Sequence, residues 1–289
     1  MNTSRRVLLQ SVATVAAGCA DWPAYGKPKA PKRRLQTFGV ILGSVSRALN
    51  ENPRGTLQHL ANQGFKELEF SGPPKGVPAA DFKQMISDVG LVPVASGAAM
   101  YQLKNDLPKI IENAHFFGHK YVACYWPWAD KGLNKQLADW KQLGGTLNEL
   151  GATLQKEGLR LAYHNHDIEF AQTEGQIPYD TVLTETDPAL VSMELDIYWI
   201  YKGGQDAVQY VTRYPGRFAL FHVKDRGPVP ELARVCVGDG DIPFGRVFAA
   251  LQGQPGEQHF FWEREDPHPA EDQLACATRS AKTLKALRF

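Results

Sequence analysis

Short, mostly apolar runs recur along this chain, separated by stretches in which apolar residues return every three or four positions. The runs 38–42, 67–70, 91–95, 121–125, 159–163, 191–195, 218–223 and 259–262 have strand length and read as strands buried in a sheet. The stretches 56–62, 80–89, 107–117, 135–156, 179–184, 206–214, 244–251 and 271–287 read as helices that turn one apolar face inward. Gly64, Gly90, Gly118, Gly158 and Gly216 each stand where a helix must stop just before a strand begins. Eight strand–helix units in about 250 residues predict a single-domain (β/α)8 TIM barrel over 37–289. A doubly wound open sheet is the main competitor. It usually carries a Gly-rich first turn of the G-x-G-x-x-G kind, which is absent.

Composition changes this picture little. The 289 residues are 43% hydrophobic and 22% charged, ordinary for a globular chain with one large core. A formal net charge of +1 gives no basic field for nucleic acid, so none is expected as a partner.

The N-terminus departs from the rhythm. Ser4-Arg5-Arg6-Val7-Leu8-Leu9-Gln10, followed by an apolar stretch to Ala20, resembles a twin-arginine export signal over 1–20 and is too short to span a bilayer comfortably. The expected address is therefore periplasmic. Ala16-Ala17-Gly18-Cys19 is a weak lipoprotein box, so a lipid anchor at Cys19 stays open. Residues 21–36, rich in Pro and Lys/Arg, read as a linker. Cys124, Cys236 and Cys276 remain, an odd number at wide spacings, and indicate no disulfide framework.

In a barrel of this kind, chemistry sits where strands end at their C-termini. Ionisable residues gather there: Glu67 and Glu69 on the second strand, His164 and His166 on the fifth, Glu194 and Asp196 on the sixth, His222 and Lys224 on the seventh, Glu263 and Glu265 on the eighth. Residues two apart on a strand share a face, so each pair points into one site. A buried carboxylate or imidazole is costly unless it is paired or holds a metal. Mixed His, Asp and Glu donors suit Mn, Zn, Co or Fe. His59, His115, His119 and His268 fall in helical or loop stretches and are expected to be solvated.

The motifs Tyr163-His164-Asn165-His166-Asp167-Ile168-Glu169-Phe170, Leu195-Asp196-Ile197-Tyr198-Trp199, His222-Val223-Lys224-Asp225, Val237-Gly238-Asp239-Gly240 and Glu263-Arg264-Glu265-Asp266 together resemble the sugar phosphate isomerase/epimerase family of xylose isomerase-like TIM barrels. The resemblance implies one divalent metal held by His164, Asp196, His222 and Glu263, and a small-molecule sugar substrate. It implies isomerisation or epimerisation through an enediolate, with elimination or hydration of an oxidised sugar as the alternative. Ketose 3-epimerases of the family carry Glu where this chain has His164, and a substrate-binding His where it has Trp199, so their two-Glu mechanism does not transfer directly. Glu263 is the first candidate for the base, followed by His166 and Glu265. Lys224 is a candidate oxyanion stabiliser or a surface partner of Asp225. Glu69 and Glu265 are candidates for sugar hydroxyls, and Trp126, Trp128 and Trp199 for stacking. Two rivals remain: an abasic-site endonuclease, disfavoured by the near-neutral charge, and a non-catalytic sugar-binding barrel. Homo-oligomerisation stays open.

Overall fold

The structure, a computed structural model, describes residues 33–129, 132, 134–228, 230, 232–265 and 269–289. The expected export signal with Cys19, the linker up to residue 32, Asp266 and His268 lie outside the described residues. Arg33 and Phe289 exchange backbone hydrogen bonds of 3.1 and 3.2 Å, so the last linker residues are tied to the C-terminus.

The chain runs β1 (Gly39–Ile41), a 3-10 turn, α1 (Ser46–Glu51), α2 (Pro53–Gln63), β2 (Glu67–Glu69), α3 (Ala79–Asp88), β3 (Val92–Ala99), α4 (Met100–Asn105) and α5 (Leu107–Phe117). It continues through β4 (Tyr121–Trp126), α6 (Leu137–Lys156), β5 (Arg160–His164), α7 (Pro178–Glu185), β6 (Val191–Asp196), α8 (Ile197–Lys202), α9 (Ala207–Arg213) and β7 (Phe218–Val223). A two-stranded ribbon, β8 (Asp225–Arg226) with β9 (Arg234–Val235), precedes α10 (Phe244–Ala250), β10 (His259–Trp262) and α11 (Ala270–Ala286). Eight parallel strands close in the order β1-β10-β7-β6-β5-β4-β3-β2, the barrel that the alternating pattern predicts.

The eight expected strands and eight expected helices are all found, with ends shifted by a few residues. β3 runs four residues beyond the expected end at Ala95, because Ala95 through Ala98 pair with Tyr121 through Cys124 of β4 although Ser96-Gly97-Ala98-Ala99 carries no strand signature. The helices α1, α4 and α8, each six residues long, were too short to show a period. The five glycines expected to stop helices all take φ between 70° and 91°, the left-handed region open to a residue without Cβ.

Small residues fill the barrel interior: Ala95, Ala123, Ala162 and Ala219 around Tyr121, Leu220 and Phe261. The larger apolar core lies between strands and helices. α6 shows how the pattern builds it. Leu137, Trp140, Leu143, Leu147, Leu150 and Leu154 form its buried stripe, and a Cβ at Gly151 would stand 2.5 Å from the Leu190 carbonyl oxygen, so the stripe seats closely.

Two expectations are corrected. Cys236 and Cys276 are joined by a disulfide; wide sequence spacing hid a pair that the ribbon and α11 bring together. Cys124 is free and buried, as expected. His119 is 4% exposed, packed edge-on against Phe70 at 4.8 Å and beside Phe117, because it follows α5 directly into the layer outside the barrel. His115 is exposed as expected, and His59 is half-buried against the Thr278 hydroxyl at 2.9 Å.

Burial lowers the His119 pKa to about 4, and neither ring nitrogen finds a hydrogen-bond partner. A folded pKa below the unfolded value of about 6.5 means that unfolding takes up a proton as the pH falls, so His119 removes stability between about pH 6.5 and 4. His119→Phe should therefore flatten the acid decline, by roughly 3 kcal/mol at pH 4. Thermal melts of both proteins at pH 7 and pH 4.5 check this; parallel declines would refute it.

Candidate active site

Strand register decides which ends meet. His164 lies beside Glu194 across β5 and β6, and Asp196 beside His222 across β6 and β7. These side chains converge above the small-residue core. The His222 ring stands between two pairs of carboxylates. Its Nδ1 is 2.9 Å from Glu263 Oε2 and 4.0 Å from Asp196 Oδ2; its Nε2 is 3.0 Å from Glu69 Oε2 and 3.5 Å from Glu194 Oε1. His164 closes the group, its ring centroid 4.7 Å from that of His222 and its Nδ1 3.2 Å from Glu194 Oε2. One donor atom each from His164, Asp196 and His222 lies within 4.8 Å of the others, as do atoms of Glu69, Glu194 and His222.

Titratable groups are crowded here: Glu69, Glu194, Asp196 and Glu263 are all buried, four carboxyl groups, together with His222 and Lys224. Lys224 is fully buried, its Nζ 2.6 Å from Glu265, 3.6 Å from Glu263 and 3.8 Å from Asp196. Burial opposes ionisation of Glu263, yet Lys224 and His222 hold its pKa well below the usual carboxylate range. Burial likewise opposes the charge on His222, but Glu194, Glu69 and Glu263 outweigh it and raise its pKa well above the ordinary value. Burial raises Glu194 strongly, with Glu69 adding to the shift, and raises Asp196 despite Lys224. His164 is pushed well below its usual range by burial and by His222, and stays neutral with a lone pair to offer. Buried donor atoms without a hydrogen bond collect at this point: His164 Nδ1, both Glu194 oxygens, Asp196 Oδ2, His222 Nδ1 and Glu263 Oε2.

Surrounding groups hold these side chains still. Tyr125 donates a 2.5 Å hydrogen bond to Glu69 Oε1, and its ring lies where Gly97 leaves no side chain. Asn165, between the two histidines, accepts from the Asp196 amide at 3.0 Å and donates to its carbonyl at 3.4 Å, pinning β6 to the end of β5. Asp196 Oδ1 accepts from the Trp199 amide at 2.8 Å as the N-cap of α8. Glu169 accepts from Tyr163 Oη at 2.8 Å and the His166 amide at 2.9 Å, fixing the turn that carries His166. Burial raises the Glu169 pKa to about 7.

Of the residues expected from sequence, His164, Asp196, His222, Glu263 and Lys224 share one cluster. His166 lies just past the end of β5, its ring 4.8 Å from Trp126, 4.9 Å from His164 and 5.3 Å from Trp199. Burial, then Lys224, lowers its pKa to about 4. Glu265 stands at the mouth, shared by Lys224 and Arg234. Glu69 is fully buried, with Tyr125 and His222 on its oxygens, so it also braces His222. Two expectations change. Trp199 is 6% exposed, and Lys202, Lys224 and Arg234 crowd its ring at 4.5, 4.7 and 5.2 Å, so it seats cations and offers no open stacking face. Lys224 does not pair with Asp225, whose carboxylate accepts from the backbone N–H groups of Arg226, Gly238, Gly240 and Ile242. Tyr125 is the main member that sequence reasoning left out, and Glu194, placed at its strand end, was given no role there. The alternation of Glu194 with Asp196 carried the signal for Glu194; nothing local marks Tyr125.

The family described as xylose isomerase-like TIM barrel matches residues 57–286. Inosose dehydratase of Clostridium perfringens is 30% identical over 169 residues, 53% of this chain and 56% of that protein. The chain thus spans about half the length of the curated relatives it matches. A sugar phosphate isomerase/epimerase from Parabacteroides distasonis superposes with a TM-score of 0.75 at 23% identity, covering 93% of this chain and 98% of that one. The IolI protein with a binding zinc atom superposes with a TM-score of 0.69 at 16% identity, covering 88% and 99%. At these identities the superpositions show the fold alone.

Burial, with Glu69 beside it, makes the ionised form of Glu194 costly, so Glu194→Gln should raise the Tm of ion-free protein by about 2–4 °C at pH 7.5. Because the folded pKa of Glu194 is raised, its cost grows above the unfolded value of about 4.3 and vanishes below it. The gain should therefore fade toward pH 4.5. A lower Tm in the variant at pH 7.5 would overturn this account.

Proposed function

The chain belongs to the xylose isomerase-like TIM barrel family, and from its site we propose that it is a divalent-metal-dependent lyase that removes water from a ring ketone of the keto-sugar or cyclitol class. The observation that carries this reading is the donor set. Four buried carboxylates face two imidazoles and one lysine, and several of their donor atoms lack hydrogen bonds. Such a set fits a doubly charged ion of the Mn, Zn, Co or Fe type. His164, Asp196, His222 and Glu263 would hold it, with Glu194 behind His164 and Glu69 behind His222 as the carboxylates that fix each ring. When bound there, the ion would polarise the substrate carbonyl and acidify the neighbouring C–H.

The protein supplies the proton transfers. Glu263, the first candidate for the base on sequence grounds, is engaged by His222 and Lys224. The acceptor role therefore falls to His166, held neutral at the mouth between Trp126 and Trp199. His166 takes the proton from the carbon next to the ketone, and the C–H electron pair becomes the C=C bond. The C–O bond at the next carbon breaks, and the oxygen leaves as water with a proton from Lys224. Elimination is favoured over epimerisation because the strand-5 Glu of a two-carboxylate epimerase is His164 here. The inosose dehydratase name of the curated relatives supports the same choice. Isomerisation or epimerisation would share the first proton transfer.

Export also belongs to this proposal. The twin-arginine-like leader and the Cys236–Cys276 disulfide both support an oxidising compartment. Among the described residues no helix is long and apolar enough to cross a membrane.

Purified protein should carry about one transition metal per chain and convert inosose to its dehydrated product. Asp196→Ala should lose the metal and the activity. His166→Ala should keep the metal while its rate falls by about 10²–10⁴. Elemental analysis beside a turnover assay checks both; full metal retention in Asp196→Ala would sink the ligand assignment.

A further inference from the structure

Beside the mouth of the barrel lies a second cavity, of about 270 Å³, which the site described above does not use. Tyr101 and Trp128 form its aromatic side, and Lys104, Asp139, Gln142 and Thr146 bring polar groups. Its place follows from the fold. Tyr101 and Lys104 sit on α4, which starts where β3 ends, and Asp139 and Gln142 lie in the first turns of α6, after the β4 loop. All therefore stand at the end of the barrel where the strand C-termini open. Trp128 follows two residues after Trp126, whose ring meets His166 at 4.8 Å. Two residues of chain span at most about 7 Å, so the backbone at the cavity's Trp128 lies close to that of Trp126, which borders His166.

Three features tell what it takes. Tyr101 is 58% exposed, more than any other large hydrophobic residue described, although it lines a cavity. Trp128 packs edge-on to Trp140 at 5.1 Å and carries the Lys135 ammonium 4.8 Å over its ring, so it walls the cavity while Tyr101 offers the open aromatic surface. Among the described residues, Lys104, Gln142 and Thr146 make no hydrogen bond or ion pair within the protein, so three hydrogen-bonding side chains face the cavity uncommitted. An apolar ligand would leave those groups unsatisfied, and a phosphate would meet the Asp139 carboxylate. A ring with apolar C–H faces and hydroxyls around its edge satisfies both walls. The volume is just under the roughly 300 Å³ at which small-molecule sites begin, room for one such ring.

We propose that this cavity is a subsite for a second saccharide ring, so that the substrate is a two-ring keto sugar with one ring at the His166 end and the other between Tyr101 and Gln142. This rests on the lyase reading for its first ring; the second ring rests on the cavity alone.

The test compares inosose, a single ring, with a disaccharide carrying one ring ketone, using metal-loaded wild type, Tyr101→Ala and Gln142→Ala. Tyr101 is exposed and Gln142 is a surface helix position, so neither change should unfold the barrel; Trp128, packed on Trp140, is left alone. Wild type should favour the two-ring substrate in kcat/KM, and each variant should lose about threefold to tenfold of that preference while its inosose turnover stays unchanged. Turnover of inosose with no preference for the disaccharide, or a preference that both variants keep, would overturn the subsite and leave the lyase reading standing. Turnover of neither compound would remove the lyase reading, and binding would then decide the subsite. Saturation-transfer NMR with maltose should give a wild-type signal that Tyr101→Ala abolishes. No signal in wild type, or an equal signal in the variant, would overturn it.

Discussion

The constraint on which this structure turns is the burial of titratable groups at the end of the barrel where the strand C-termini meet. Taking an ionised carboxylate from water costs several kcal/mol unless an opposite charge or several hydrogen bonds replace the solvent. Here four carboxylates are buried around His222 and Lys224. Three of them are held from outside the cluster's centre, Glu69 by Tyr125, Asp196 by the start of α8 and Glu263 by Lys224, while Glu194 lies 3.2 Å from the His164 ring with both oxygens uncommitted. Several buried oxygen and nitrogen atoms of this cluster lack a hydrogen bond, and these uncommitted donor atoms give the site its chemistry.

The supporting structure follows from that demand. Gly97 leaves room for the Tyr125 ring, and Asn165 bonds both sides of the Asp196 peptide. Asp225 gathers the backbone N–H groups of Gly238, Gly240 and Ile242 onto its carboxylate, just after Cys236, where the disulfide fastens the ribbon to α11. Arg234, on the same ribbon, reaches Glu265, the outer partner of Lys224. The path from the α11 anchor to the buried lysine is therefore short and made of rigid contacts.

Family membership and geometry bear on function at different depths. Membership makes this a xylose isomerase-like TIM barrel. The replacement of a strand-5 carboxylate by His164 bears on which of the family's proton chemistries the site can run, because two opposed bases and one base with one acid are different machines. The cavity at α4 and α6 bears on substrate size, which neither the cluster nor the fold addresses.

Alternation of apolar runs with helix-period stretches was enough to count eight strand–helix units and to place His164, Asp196, His222, Lys224 and Glu263 at strand ends, because strand periodicity and the position of turns are local properties of the chain. The short helices α4 and α8 and the long end of β3 escaped, since each owes its conformation to a neighbour and not to its own residues. The cysteine pair, the burial of His119 and the Tyr125–Glu69 bond escaped for the same reason. What only the tertiary structure decided is which atom faces which. His222 meets one carboxylate pair through Nδ1 and another through Nε2 because β2, β6 and β10 bring their ends to the same height around β7. That height is set by strand pairing across the whole closed barrel, and no single segment of sequence contains it.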